Sequence, residues 1–100
     1  MRTTQIATYD TEKTSRRGKA LIVLDIIAVL NEKERKFTHL LYKSNLSCDR
    51  LKHYLGELIE KGIVIENHTS SGTTYQLSDE GVRTHVQFSP FAEFIRELEA

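Results

Sequence analysis

The stretch THLLYKSNLSCDRLKHYLGELIEKGIVI, Thr38 to Ile65, spells two short helices joined by Ser44-Asn45-Leu46 and passes without a linker into a β-branched run. Thr38 and Ser47 each precede an apolar-periodic segment, where a hydroxyl can accept a bond from an unpaired N–H of a first helical turn. Asn45 tolerates the left-handed backbone that a tight turn between helices requires. Lys61-Gly62 supplies the basic residue and then the glycine expected where a helix stops. The pattern is a helix-turn-helix, whose second helix here covers Cys48 to Lys61 and whose first covers Thr38 to Ser44. Such a unit commonly places one helix in a groove of DNA.

Working outward, Arg16 to about Lys33 reads as a helix with Ile22, Ile26, Val29 and Leu30 on one stripe and Leu21, Leu24 and Ala28 beside it. A surface that apolar has to be covered broadly, by the rest of the domain or by a second copy. Asp25 reads as a solvent-facing interruption of that helix. In the helix beginning after Ser47, Leu51, Leu55, Leu58 and Ile59 form the core face. Ile63 to Asn67 and Thr73 to Leu77 read as strands flanking a loop from His68 to Gly72, a hairpin wing. Ser78-Asp79-Glu80 carries the capping hydroxyl and early acids of another helix start, and Pro90 is expected to break that helix and restart it. The closing segment sets Phe88, Phe91, Phe94, Ile95 and Leu98 at helical spacing, an amphipathic helix that either folds back on the domain or contacts a second chain. The expected organisation is a mobile arm over 1–15, a winged-helix domain over 16–88 and a C-terminal amphipathic helix over 89–100. The fold class is α+β and mostly helical.

One hundred residues with 39% hydrophobic content suit one small core. The longest apolar run, Ala20 to Leu30, is broken by Asp25 and is far shorter than the ~20 residues of a membrane span. A lone Cys48 excludes an internal disulfide, and Met1 to Gln5 lack a secretory signal's apolar stretch, so a reducing, cytoplasmic setting is expected. The net charge is zero, which argues against indiscriminate polyanion binding. Its distribution is uneven: residues 1–61 hold 12 Lys/Arg against 8 Asp/Glu, and residues 62–100 hold 2 against 6. The positive half is the helix-turn-helix half.

The order helix, helix-turn-helix, hairpin and helix, with Thr38 to Ser47, Leu51-Lys52-His53-Tyr54-Leu55, Glu60-Lys61-Gly62-Ile63, Ile22 to Ile27 and Tyr75 to Gly81, resembles the small archaeal winged helix-turn-helix regulators. The resemblance spans about residues 16 to 85. It is similar in part to small archaeal chromatin proteins that dimerise through a long C-terminal coiled coil. The resemblance implies double-stranded DNA binding without catalysis. Three positions depart from it: His39 stands where the family usually has Arg, the loop from His68 to Gly72 has no Lys or Arg, and the last helix is expected to be short and interrupted at Pro90. Weaker phosphate affinity than the family's is therefore expected.

At about 100° per residue, the side of the third helix opposite Leu51, Leu55 and Leu58 carries Asp49, His53, Gly56 and Glu60, flanked by Arg50 and Lys52. Asp49, Arg50 and His53 are the expected base readers and Lys52 a phosphate contact, because base edges are usually met from the N-terminal half of such a helix. Ser47 with the free amides beside it, Arg16, Arg17, Lys19 and Lys43 are expected to reach the DNA backbone. Thr69 and Ser71 represent a polar wing tip able to touch phosphate or the minor groove. Each of these positions is equally at home as a solvated surface residue. Cys48 reads as a small half-buried residue, with redox sensitivity at a helix N-terminus as the other option. The four histidines have no spacing that suggests a metal site, no cofactor is expected, and no nucleophile is paired with a base. The leading expectation is a DNA-binding transcriptional regulator acting as a homodimer. The alternative is a winged helix used as a protein-interaction module in a transcription or chromatin assembly.

Overall fold

In the computed structural model, which describes residues 18–99, the elements run α1 (Lys19–Glu32), β1 (Arg35–Lys36), α2 (Phe37–Ser44), α3 (Cys48–Glu60), β2 (Val64–Thr69), β3 (Gly72–Leu77) and α4 (Asp79–Glu99). The three strands form one antiparallel sheet in the order β1-β3-β2. This is a winged helix: three helices, a hairpin, and a long closing helix. The arm expected over 1–15, together with Arg16 and Arg17, lies outside the described residues.

The local signals at Asn45, Ser47 and Lys61-Gly62 act as expected. Asn45 adopts φ 57°, ψ 43° and sends its N–H to the Leu41 carbonyl at 3.2 Å. Ser47 Oγ accepts the Arg50 N–H at 3.2 Å and so caps α3. At the other end, Gly62 takes φ 78°; its N–H reaches the Ile59 carbonyl at 3.0 Å, while Ile63 N–H reaches Leu58 at 2.9 Å. That pair of bonds satisfies carbonyls a helix end would otherwise leave unpaired. Ser78 Oγ accepts the Gly81 N–H at 3.0 Å and lies 2.5 Å from the Gly62 carbonyl, to which it donates, so one hydroxyl starts α4 and ties it to the end of α3.

The core is built from Ile22, Ile26, Ile27 and Leu30 of α1, Leu40 of α2, Leu51, Tyr54, Leu55 and Leu58 of α3, and Val64, Tyr75 and Leu77 of the sheet. Leu51, Leu55 and Leu58 are buried as the helical spacing requires, and Ile59 packs half-buried beside them. The apolar stripe of α1 is covered from several sides, by α2, β3 and α4. Within the hairpin Val64 faces Leu77 in register, which puts both on the buried side of a pleat whose side chains alternate.

Several expectations are corrected. The chain forms a short strand, β1, that sequence pattern did not suggest: Arg35 pairs with Tyr75 and Lys36 with Thr74. This pairing holds the backbone extended through Lys36, so α2 starts at Phe37, with Lys36 at the capping position and no side-chain cap; Thr38 is already inside the helix. The ring of Phe37 sits 6.4 Å from that of Tyr75, a packing contact that favours the early start. The first helix begins at Lys19 and stops at Glu32. The hairpin is longer and its turn tighter than expected, because pairing continues through His68–Thr73 to Thr69–Gly72 and leaves Ser70-Ser71 as the connection. Gly72, at φ 127°, supplies backbone that other residues avoid.

Pro90 neither ends nor restarts a helix. Continuing from Asp79 to Glu99, α4 crosses the expected 88/89 boundary without a break. A proline removes the bond to the carbonyl four residues earlier. That residue is Val86, 68% exposed, so the freed carbonyl belongs to the solvent-facing side of the helix, where losing a donor costs far less than in the core. The last helix is therefore 21 residues long rather than short and interrupted. Asp25 is not a solvent-facing interruption either: its carboxylate pairs with the Arg96 guanidinium of α4, fastening the two helices together. Cys48 is exposed, not half-buried.

Candidate nucleic-acid interface

The side of α3 that turns away from the core presents Asp49, Arg50, Lys52, His53, Gly56 and Glu60, all exposed. Ser47 stands at the start of this face, its hydroxyl engaged with the Arg50 N–H. Lys43, in the last turn of α2, is exposed as well. The basic and polar groups thus gather around the N-terminal half of α3, while the acids Glu57 and Glu60 occupy its C-terminal half.

Two of these side chains are not loose. Arg50 lies over the ring of Tyr54, its guanidinium carbon 5.9 Å from the ring centre and Nη2 3.4 Å from the hydroxyl. His53 meets the same ring edge-on at 5.4 Å, and its Nε2 is 3.5 Å from Glu57 Oε2. Tyr54 is buried in the core, so its spacing of four from Arg50 was the available signal for a role that sequence reading passed over. Glu57 stands at the same spacing from His53.

The other expected contacts are dispersed. Lys19 places Nζ 3.3 Å from Glu57 Oε1, which draws it toward the C-terminal half of α3. At the wing tip the Thr69 hydroxyl donates to the Gly72 carbonyl at 2.6 Å and accepts the Ser71 N–H at 3.2 Å, so its bonding capacity goes to shaping the turn. Further down the wing, Asn67 donates to Gln76 at 2.7 Å and to Glu34 at 3.3 Å, and Thr74 donates to Glu34. Tyr75 donates to Glu66 at 3.1 Å; burial, and then that carboxylate, raise its pKa and keep it a neutral donor. Tyr42 of α2 is 87% exposed, the most open of the large hydrophobic residues described, and no periodicity singled it out.

On the side of the molecule formed by α1, the end of α3 and α4 there is an apolar groove of about 1050 Å³, lined by Val23, Leu24, Ile27, Leu58, Ile63 and Phe88, with Lys19 and Lys61 also on its walls. Phe88, Phe91, Phe94 and Leu98 are between 41% and 67% exposed along one flank of α4, and Ile95 is half-buried. Among the described residues no helix is long and apolar enough to cross a membrane, and no group of three or more His, Cys, Asp or Glu is placed to hold a metal ion.

Comparison with solved structures finds the same architecture repeatedly. Sso10a-2, a DNA-binding protein from Sulfolobus solfataricus, superimposes with a TM-score of 0.72 at 19% identity over 83% of this chain and 86% of that one. A possible HxlR family transcriptional factor from Thermoplasma volcanium gives 0.70 at 26% identity, over 82% of this chain and 76% of that one. AbsC, a MarR family transcriptional regulator from Streptomyces coelicolor, gives 0.65 at 20% identity, over 70% of this chain and 51% of that one. No curated protein sequence matches significantly. The winged helix-turn-helix family profile matches residues 16–96, almost the whole described region, and the chain belongs to that family.

Proposed function

We propose that this chain binds double-stranded DNA through α3 and regulates transcription, acting in the cytoplasm as a homodimer joined along α4. The observation that carries the reading is the uncovered polar side of α3, where Arg50, Lys52 and His53 stand exposed beyond the Ser47 cap. An arginine at the N-terminal end of such a helix suits the two acceptors of a guanine edge, and the helix-start amides suit a phosphate. Family membership, the DNA-binding and transcription-factor names of the structural neighbours, and the basic surplus of residues 1–61 support the same assignment. No catalytic role is proposed. Arg16, Arg17, Lys43 and Lys52 serve as phosphate contacts, with Asp49, Arg50 and His53 reading bases and Thr69 and Ser71 touching the backbone weakly from the wing.

A fluorescence anisotropy titration with labelled duplex at low salt tests this directly, and absence of any duplex binding would defeat it. Arg50→Ala is expected to relax preference at one base pair by about 1–3 kcal/mol. Non-specific affinity would change much less.

The dimer rests on the row of Phe88, Phe91, Phe94 and Leu98, apolar side chains that gain by leaving water. Sedimentation should find a dimer that Phe94→Asp converts to monomer, since a carboxylate buried in an apolar contact has no partner. A Phe94→Asp chain that sediments as a dimer removes α4 from the interface.

A further inference from the structure

We propose that Tyr54 is the positioning residue of the reading face, a core-anchored platform that holds Arg50 and orients His53 before DNA arrives. The inference rests on the assignment of α3 as the DNA-reading helix. Tyr54 is only 8% exposed and belongs to the hydrophobic core, so its ring is fixed by packing rather than by the surface groups around it. Its hydroxyl end nevertheless reaches the helix surface, where Arg50 Nη2 lies 3.4 Å away and the guanidinium covers the ring at 5.9 Å. His53 approaches the same ring edge-on at 5.4 Å.

A free arginine gives up rotamer freedom when it docks on a base, and this loss is subtracted from affinity. A ring held by the core, attracting the guanidinium through its face and accepting from it through its oxygen, removes part of that freedom in advance. His53 is restrained from two sides, by the Tyr54 ring and by Glu57, whose carboxylate is 3.5 Å from Nε2. The two side chains expected to read bases therefore share one anchor. Lys52, the expected phosphate contact, has no interaction with this ring among those described, so the platform acts on discrimination rather than on charge.

The test uses the full chain and a duplex that it selects from a random-sequence library. Tyr54→Phe keeps the ring and the packing but removes the oxygen. It is expected to lower discrimination between the selected duplex and one altered at the Arg50-dependent base pair by about 2- to 10-fold, the range of one hydrogen bond. Non-specific affinity and Tm should stay at wild-type values. In an Arg50→Ala background the same change should have no effect on discrimination, because the group it positions is gone. A second reading is taken without DNA: ¹⁵N relaxation of the Arg50 side-chain Nε in the free chain should show a lower order parameter in Tyr54→Phe.

Wild-type discrimination in Tyr54→Phe overturns the proposal, as does an equal loss with and without Arg50. Should the wild-type chain select no sequence at all, the DNA assignment fails, and the Nε order parameter still decides whether Tyr54 restrains Arg50. An order parameter unchanged by Tyr54→Phe then overturns the restraint as well.

Discussion

Gly81→Ala is expected to lower the unfolding free energy by about 2–4 kcal/mol, although alanine is the better helix former by roughly 1 kcal/mol. A Cβ built on Gly81 falls 2.3 Å from the Ile63 carbonyl oxygen and 3.0 Å from Leu77 Cδ2. The first of these is backbone and cannot rotate away. That carbonyl also accepts the Ser78 N–H at 3.0 Å, at the point where the end of α3, the end of β3 and the start of α4 converge. Moving α4 outward to make room breaks the junction and strains the Ser78 cap with it. Gly56→Ala provides the opposite sign, because a Cβ there meets nothing within 4 Å and Gly56 sits exposed in the interior of α3. That substitution should stabilise by about 0.5–1 kcal/mol. Chemical denaturation of both variants measures the contrast, and a Gly81→Ala chain as stable as the wild type would show that the junction yields more easily than its geometry indicates.

Features set by a few adjacent residues were legible from sequence, and features set by distant pairings were not. The turn at Asn45, the cap at Ser47, the stop at Lys61-Gly62 and the start at Ser78 each depend on one side chain and the backbone beside it. Their chemistry is local, so residue identity was enough. The strand β1 is only two residues long and exists because Tyr75 and Thr74 lie alongside it; Arg35-Lys36 has no alternation to announce it. Once β1 forms, it moves the start of α2 from the expected cap at Thr38 to Phe37. The Asp25–Arg96 pair joins residues 71 positions apart, which is why an acid that looked like a solvent-facing break proved to be a fastening between α1 and α4. Pro90 was misread for a related reason: the rule against proline inside helices assumes the freed carbonyl goes unsatisfied, and on an exposed helix face it does not.

The same division applies to the interface. Periodicity was sufficient to separate the polar side of α3 from Leu51, Leu55 and Leu58, since both follow from a single helical repeat. It did not place Lys19, whose position depends on how α1 crosses α3 and which ends beside Glu57. Nor did it show that the Thr69 hydroxyl is committed to the turn, because that follows from a hairpin connection of two residues, Ser70-Ser71, in place of the expected loop from His68 to Gly72. In the proposed DNA complex the wing is therefore expected to contribute less than its composition suggested, and α3 with the cations near it to contribute more.

Duplex affinity is expected to fall by about 40- to 150-fold between 50 and 200 mM monovalent salt. Each phosphate neutralised contributes roughly −0.9 to the slope of log affinity against log salt, and three or four such contacts give a slope near −3. Lys43 and Lys52 are exposed and take no described ion pair, and Arg16 and Arg17 are separated in the sequence from α1 only by Gly18. Lys19 contributes little, because its ammonium group is already 3.3 Å from a carboxylate. A chain of zero net charge adds no net-charge attraction to these contacts, so the slope counts local neutralisation more directly than it would for a strongly basic protein. Lys52→Ala should make the slope shallower by about 0.9 and weaken all duplexes alike, whereas Arg50→Ala should change which duplex is preferred. Salt titrations on the wild type and both variants separate the two roles. A wild-type slope shallower than about −1 would mean that phosphates are hardly engaged; the exposed side of α3 would then be a surface for protein, with the apolar flank of α4 as its companion.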